Sequence, residues 1–159
     1  MIQIANYDSN DLDWTWDGDF IIGENGDIQD TADDFIRSLE TEIRTVVRSE
    51  FSDWEKHPVL GTNLSDFRGE PNTREVAKAM ESQIISRLVA SGIINRGDIE
   101  VRIVPTGPHE VLVMIRVAAA STPGNRLEVG ESLVISFSYD SLEDSIFFLP
   151  VDQLERDAR

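Results

Sequence analysis

The hydrophobic period of this chain changes at Ile99, and that change limits the architectures open to it. Before Ile99, apolar residues recur at spacings of three and four. Phe35, Leu39, Ile43, Val46 and Val47 share one face of a helix expected over residues 31–49. Val76, Met80, Ile84 and Leu88 line a second helix, capped by Asn72 with Glu75 or by Thr73, and stopped at Gly92. From Ile99 the period is two. Ile99, Val101 and Ile103 alternate with other residues, as do Val111, Val113, Ile115 and Val117, then Leu133, Ile135 and Phe137, with Ile146 to Leu149 as a short further strand. Residues 111–117 are apolar on both faces, which marks an interior strand. Two helices packed on one antiparallel sheet, an α+β layer, bury all of these faces at once.

Charge divides the chain differently. Its 159 residues carry 30 Asp+Glu against 14 Lys+Arg, a net charge of −16. Residues 1–34 hold ten of the acids and no base. This suggests an acidic extension over 1–25, an α+β domain over 26–150 and a tail over 151–159. The extension has aromatic and apolar residues to bury (Trp14, Trp16, Phe20, Ile21, Ile22, Ile28), and Glu24-Asn25-Gly26-Asp27 reads as a tight turn between two short strands. Asp30, Asp33 and Asp34 sit in or near the first turn of the first helix, with Arg44 and Arg48 in its last, the order the helix dipole favours. So acidic a chain is a poor partner for a nucleic-acid backbone or an anionic membrane. Its longest apolar run, Val111 to Ile115, is five residues, and no secretory signal is expected from the first residues.

Few chemistries are encoded. There is no cysteine, and His57 and His109 both sit beside turn prolines with no readable triad. No glycine-rich phosphate motif occurs, and with 30 acids any carboxylate pair is a chance pair, so no catalytic residue and no cofactor is assigned. A calcium loop is the sharper alternative. From Asp13 as position 1, oxygen side chains fall at Asp13, Thr15 and Asp17, with Gly18 at the sixth place and Glu24 at the twelfth. Thr15 departs from the usual Asp or Asn, and the flanks do not read as helices.

Between the two helices, His57-Pro58-Val59-Leu60-Gly61-Thr62-Asn63-Leu64 carries a Pro-x-x-Gly-x-x-Leu segment, preceded by Gly26-Asp27-Ile28 before the first helix. In this order the chain resembles the baseplate wedge proteins of contractile-tailed phages, a lysozyme-like wedge family that includes the type VI secretion component TssE. The similarity runs over roughly residues 26–140. One motif departs: Ile94-Asn95-Arg96 stands where the family has Glu-Pro-Arg, with Arg96 at the Arg position.

The resemblance implies a domain similar to the inner domain of the tail sheath protein. It also implies a non-enzymatic virion component of the tail baseplate, assembled in the host cytoplasm. Its expected partners are neighbouring wedge proteins, the tail sheath protein and the tail tube or hub, in a hetro-oligomer with several copies around the tail. Pro58, Gly61, Leu64 and Arg96 are the partner-binding candidates carried by the motifs. Trp14, Trp16 and Phe20 join them as aromatic anchors, the residue type that dominates interface energy. Peptidoglycan cleavage and calcium binding through Asp13, Asp17 and Glu24 stand as the alternatives.

Overall fold

The computed structural model describes residues 12, 13, 15, 19–31, 35–118 and 132–149, with the side chain of Phe35 excepted. Trp14, Trp16 and Asp17, together with the expected turn at Ser121 to Asn125 and the tail, lie outside the described residues.

The elements run α1 (Phe35–Arg48), a 3₁₀ turn (Leu64–Phe67), α2 (Arg74–Ala90), a second 3₁₀ turn (Arg96–Asp98), then β1 (Ile99–Pro105), β2 (Glu110–Ala118), β3 (Ser132–Asp140) and β4 (Ser145–Leu149). The strands form one antiparallel meander in the order β1-β2-β3-β4, so β2 is interior, as its two apolar faces required. The described residues therefore form an α+β layer of two helices and a four-stranded antiparallel sheet.

Sequence period translates directly into the core. Val111, Val113, Ile115 and Val117 of β2 and Leu133, Ile135, Phe137 and Tyr139 of β3 are buried, and the register sets Val113 opposite Phe137 and Ile115 opposite Ile135. Above them lie Leu39, Ile43, Val46 and Val47 of α1 and Met80, Ile84 and Leu88 of α2.

Local detail sharpens three expectations. Helix α1 is described from Phe35, and Asp33 and Asp34, expected in its first turn, lie outside the described residues; its last turn carries only Arg48, with Arg44 a turn deeper and 7% exposed. Asp30 precedes the helix, bridged to Leu12 in extended structure. At α2 the cap is Thr73, whose Oγ1 accepts from the Val76 N–H at 3.3 Å. Asn72 is committed elsewhere: its amide donates to the carbonyls of Gly107 and Glu110 at 2.9 and 3.0 Å, pinning the start of α2 to the β1–β2 turn. Gly92, at φ 79°, ends the helix in the left-handed conformation that glycine adopts without strain.

Candidate functional site

The Pro58-x-x-Gly61-x-x-Leu64 segment folds back onto the end of α1. Four carbonyls at any helix C-terminus lack helical partners. Here Thr62 satisfies two of them, its N–H donating to the Val46 carbonyl at 3.1 Å and its Oγ1 to the Val47 carbonyl at 2.9 Å. Such a close approach leaves no room at Gly61. Its φ is 139°, and a Cβ there would stand 2.8 Å from the Ser49 carbonyl carbon. Pro58 is exposed, and its carbonyl accepts from the Ser52 N–H at 2.9 Å to close the loop. Leu64 is 1% exposed in the core. The segment is also held to α2, where the Gln83 amide donates to the carbonyls of Thr62 and Asn63 at 2.8 and 2.9 Å. Of the candidates carried by the motifs, Pro58, Gly61 and Leu64 thus share one corner, in which Gly61 and Leu64 are buried. Arg96 is exposed in the second 3₁₀ turn, beyond the far end of α2 in the chain.

Among the described residues, 12–13 and 20–30 pair as a small ribbon. Ile22 bridges Ile28 across the Glu24–Asp27 turn, and the Asp13 N–H donates to the Gln29 carbonyl at 2.9 Å. The boundary expected between residues 25 and 26 falls inside that turn. Asp13 is 0% exposed, and its carboxylate pairs with Arg37 of α1 at 2.6 Å. This pairing engages the first residue of the calcium-loop reading, while Glu24 is exposed in the turn of a β-ribbon rather than on a helix. Among the described residues, no three His, Cys, Asp or Glu side chains are gathered closely enough to hold a metal ion. Phe20 is 44% exposed on the ribbon.

A cleft of about 230 Å³ opens between the ribbon, α1 and the loop after α1, lined by Thr15, Thr41, Arg44, Thr45, Arg48, Ser49 and Trp54. Arg44 reaches Glu40 at 3.5 Å and the Thr15 carbonyl at 3.5 Å. Burial pushes its guanidinium below the ordinary value; Glu40 and Asp13 oppose that shift, and Arg48 and Arg37 add to it. Sequence reasoning did not gather these residues. The signal was the polar stripe Thr41, Thr45, Arg48 beside the apolar face of α1, but Thr15 and Trp54 reach it only through the tertiary fold.

The sheet face opposite the helices is of mixed character. Val104 and Phe147 are 41% and 60% exposed, and Leu112, Met114 and Val134 are partly exposed. At one end Glu100 holds Arg102 at 2.7 Å. Among the described residues the outer edges of β1 and β4 pair with no further strand.

No family model, curated protein or solved structure matches the chain. Among the described residues, no helix is long and apolar enough to cross a membrane.

Proposed function

We propose that this chain is a structural component of a contractile tail baseplate, a wedge protein that docks its neighbours and offers sheet edges on which the first sheath ring is built. One observation carries the reading: both helices cover the same face of a four-stranded antiparallel sheet whose outer strands, β1 and β4, end the hydrogen-bonded order among the described residues. An open edge is a liability in a solitary protein and a binding element in an assembly, because an added strand gains main-chain hydrogen bonds along its length.

The motif segment fits this role. Gly61 and Leu64 fix a corner between α1 and α2, so the Pro-x-x-Gly-x-x-Leu pattern acts here as a fold determinant that holds the two helices in one docking geometry. The surface charge favours basic partners and discourages wrong ones. Trp14, Trp16 and Phe20 serve as anchors in the same scheme.

Co-expression with the sheath and wedge proteins of a contractile tail tests the proposal. The expected result is recovery of the chain in a multi-copy complex with them. A chain that stays monomeric beside these partners, or that turns over peptidoglycan, overturns it.

A further inference from the structure

We propose that the sheet face turned away from the helices binds a second copy of this chain about a two-fold axis, with Arg116 of each copy set against the partner's Glu110. The face is built by period. Along β1, β2 and β3 the even-numbered side chains point away from the helices, while odd-numbered ones such as Val101, Val113 and Phe137 are buried. On β4 the order shifts by one, with Phe148 buried and Phe147 outward. Register then sorts the outward side chains into rows. Val104, Leu112 and Phe147 share one row, and Met114 and Leu149 lie in the next. These side chains, from partly exposed up to the 60% of Phe147, form an apolar band across the middle of a face that is ordinarily polar in an antiparallel sheet.

Charge sits at the two ends of the band. Glu110 and Asp140 stand opposite each other at one end, and Arg116 stands opposite Glu100 at the other. Glu100 is taken by Arg102 at 2.7 Å and reaches Arg116 only at 3.9 Å. Asp140 is engaged in its own turn, accepting from the Leu142 and Glu143 N–H groups at 2.8 and 3.2 Å. The Glu110 carboxylate makes no ion pair among the described residues. Strand β2 thus offers a cation at one end and an anion at the other. A two-fold axis lying between two such faces, crossing the strands at Val113, sets the acidic end of each copy on the basic end of its partner. Met114 then meets the partner's Leu112, and Phe147 meets the partner's Leu149. A two-fold axis along the strands would set like ends together, so the charges select the first arrangement. Sheets packed face to face stand about 10 Å apart, a gap that an arginine and a glutamate side chain span together. The charge of −16 on each copy does not prevent the contact, because salt screens repulsion beyond about 8 Å while the facing pairs are closer. Four strands about 4.8 Å apart and about 25 Å long give a footprint of about 500 Å² per copy, below the roughly 800 Å² of a standard interface, so the dimer is reversible. The contact leaves the sheet edges free and therefore stands or falls separately from the baseplate reading.

Sedimentation equilibrium of the full chain at physiological ionic strength, across the micromolar range, tests the contact. The expected result is a reversible monomer–dimer equilibrium. Arg116→Glu and Glu110→Arg each weaken dimerisation by about tenfold or more, and the double variant recovers most of the parent's affinity because the pair re-forms with its signs exchanged. Lys78→Glu, on the exposed surface of α2, changes the net charge as Arg116→Glu does and leaves the affinity within about twofold of the parent. A chain that is monomeric throughout overturns the proposal. So does a dimer insensitive to both single reversals, a double variant that fails to recover, a loss in Lys78→Glu equal to that in Arg116→Glu, or assembly that continues beyond two copies.

Discussion

Tyr139 on β3 and Leu64 in the loop between the helices, 75 residues apart, are joined by a buried hydrogen bond of 2.8 Å from the phenol to the Leu64 carbonyl. Asp144 Oδ1 stands 3.0 Å from the same hydroxyl, so one proton serves two acceptors. The bond fastens the motif corner to the central sheet. Removing the hydroxyl in Tyr139→Phe strands the Leu64 carbonyl without its partner, and we expect a loss of about 1–3 kcal/mol in urea unfolding. A variant as stable as the parent would show that the corner is held by packing alone.

The same tyrosine gives the chain an alkaline limit. Burial, reinforced by Asp144, raises its pKa well above the ordinary 10.0. In the folded state it therefore stays protonated where the unfolded chain has begun to ionise. The associated stability is present below pH 10.0 and falls as pH rises above that value. Unfolding curves from pH 8 to 11, compared between the parent and Tyr139→Phe, should converge as pH rises. Parallel curves would contradict the assignment.

Gly61→Ala should be among the most damaging single substitutions at the corner. It introduces both an unfavourable φ and a Cβ pressed on the Ser49 backbone, at an expected cost of about 2–4 kcal/mol in thermal or chemical unfolding. Val59→Ser, two residues earlier and 76% exposed, is the control and should change stability by less than about 0.5 kcal/mol.

The ribbon is held to α1 through Asp13. In Asp13→Ala the Arg37 guanidinium loses its buried partner. The expected loss is about 1–2 kcal/mol, below the range for fully buried pairs because the Arg37 side chain is 40% exposed. Hydrogen exchange localises the effect. The amides of position 13, Ile21 and Gln29, which bond across the ribbon, should exchange faster, while those of β2 and β3 keep their protection.

What could be read from the residues was what depends on neighbours in sequence. The i+4 series Met80, Ile84, Leu88 and the alternation Val111, Val113, Ile115, Val117 each depend on one element's own geometry, and each reappears as buried side chains. Between the two expected caps, Asn72 and Thr73, the choice is made non-locally: the Asn72 amide is engaged by carbonyls 35 and 38 residues away, which leaves the cap to Thr73. Arg44 read as a dipole-stabilising residue of the last turn because its charge and position fitted. Its burial beside Glu40 depends on the ribbon and loop that close over α1. Pro58, Gly61 and Leu64 were legible as a motif, yet the reason for the glycine, the Ser49 backbone against it, is visible only in three dimensions.

Electron cryomicroscopy of contractile tail particles assembled with this chain tests the central claim most directly. The account predicts several copies of the domain around the tube at the baseplate, with a neighbour's strand hydrogen-bonded to the outer edge of β1 or β4. Particles that assemble fully without the chain, or that carry it with both edges facing solvent, would contradict it.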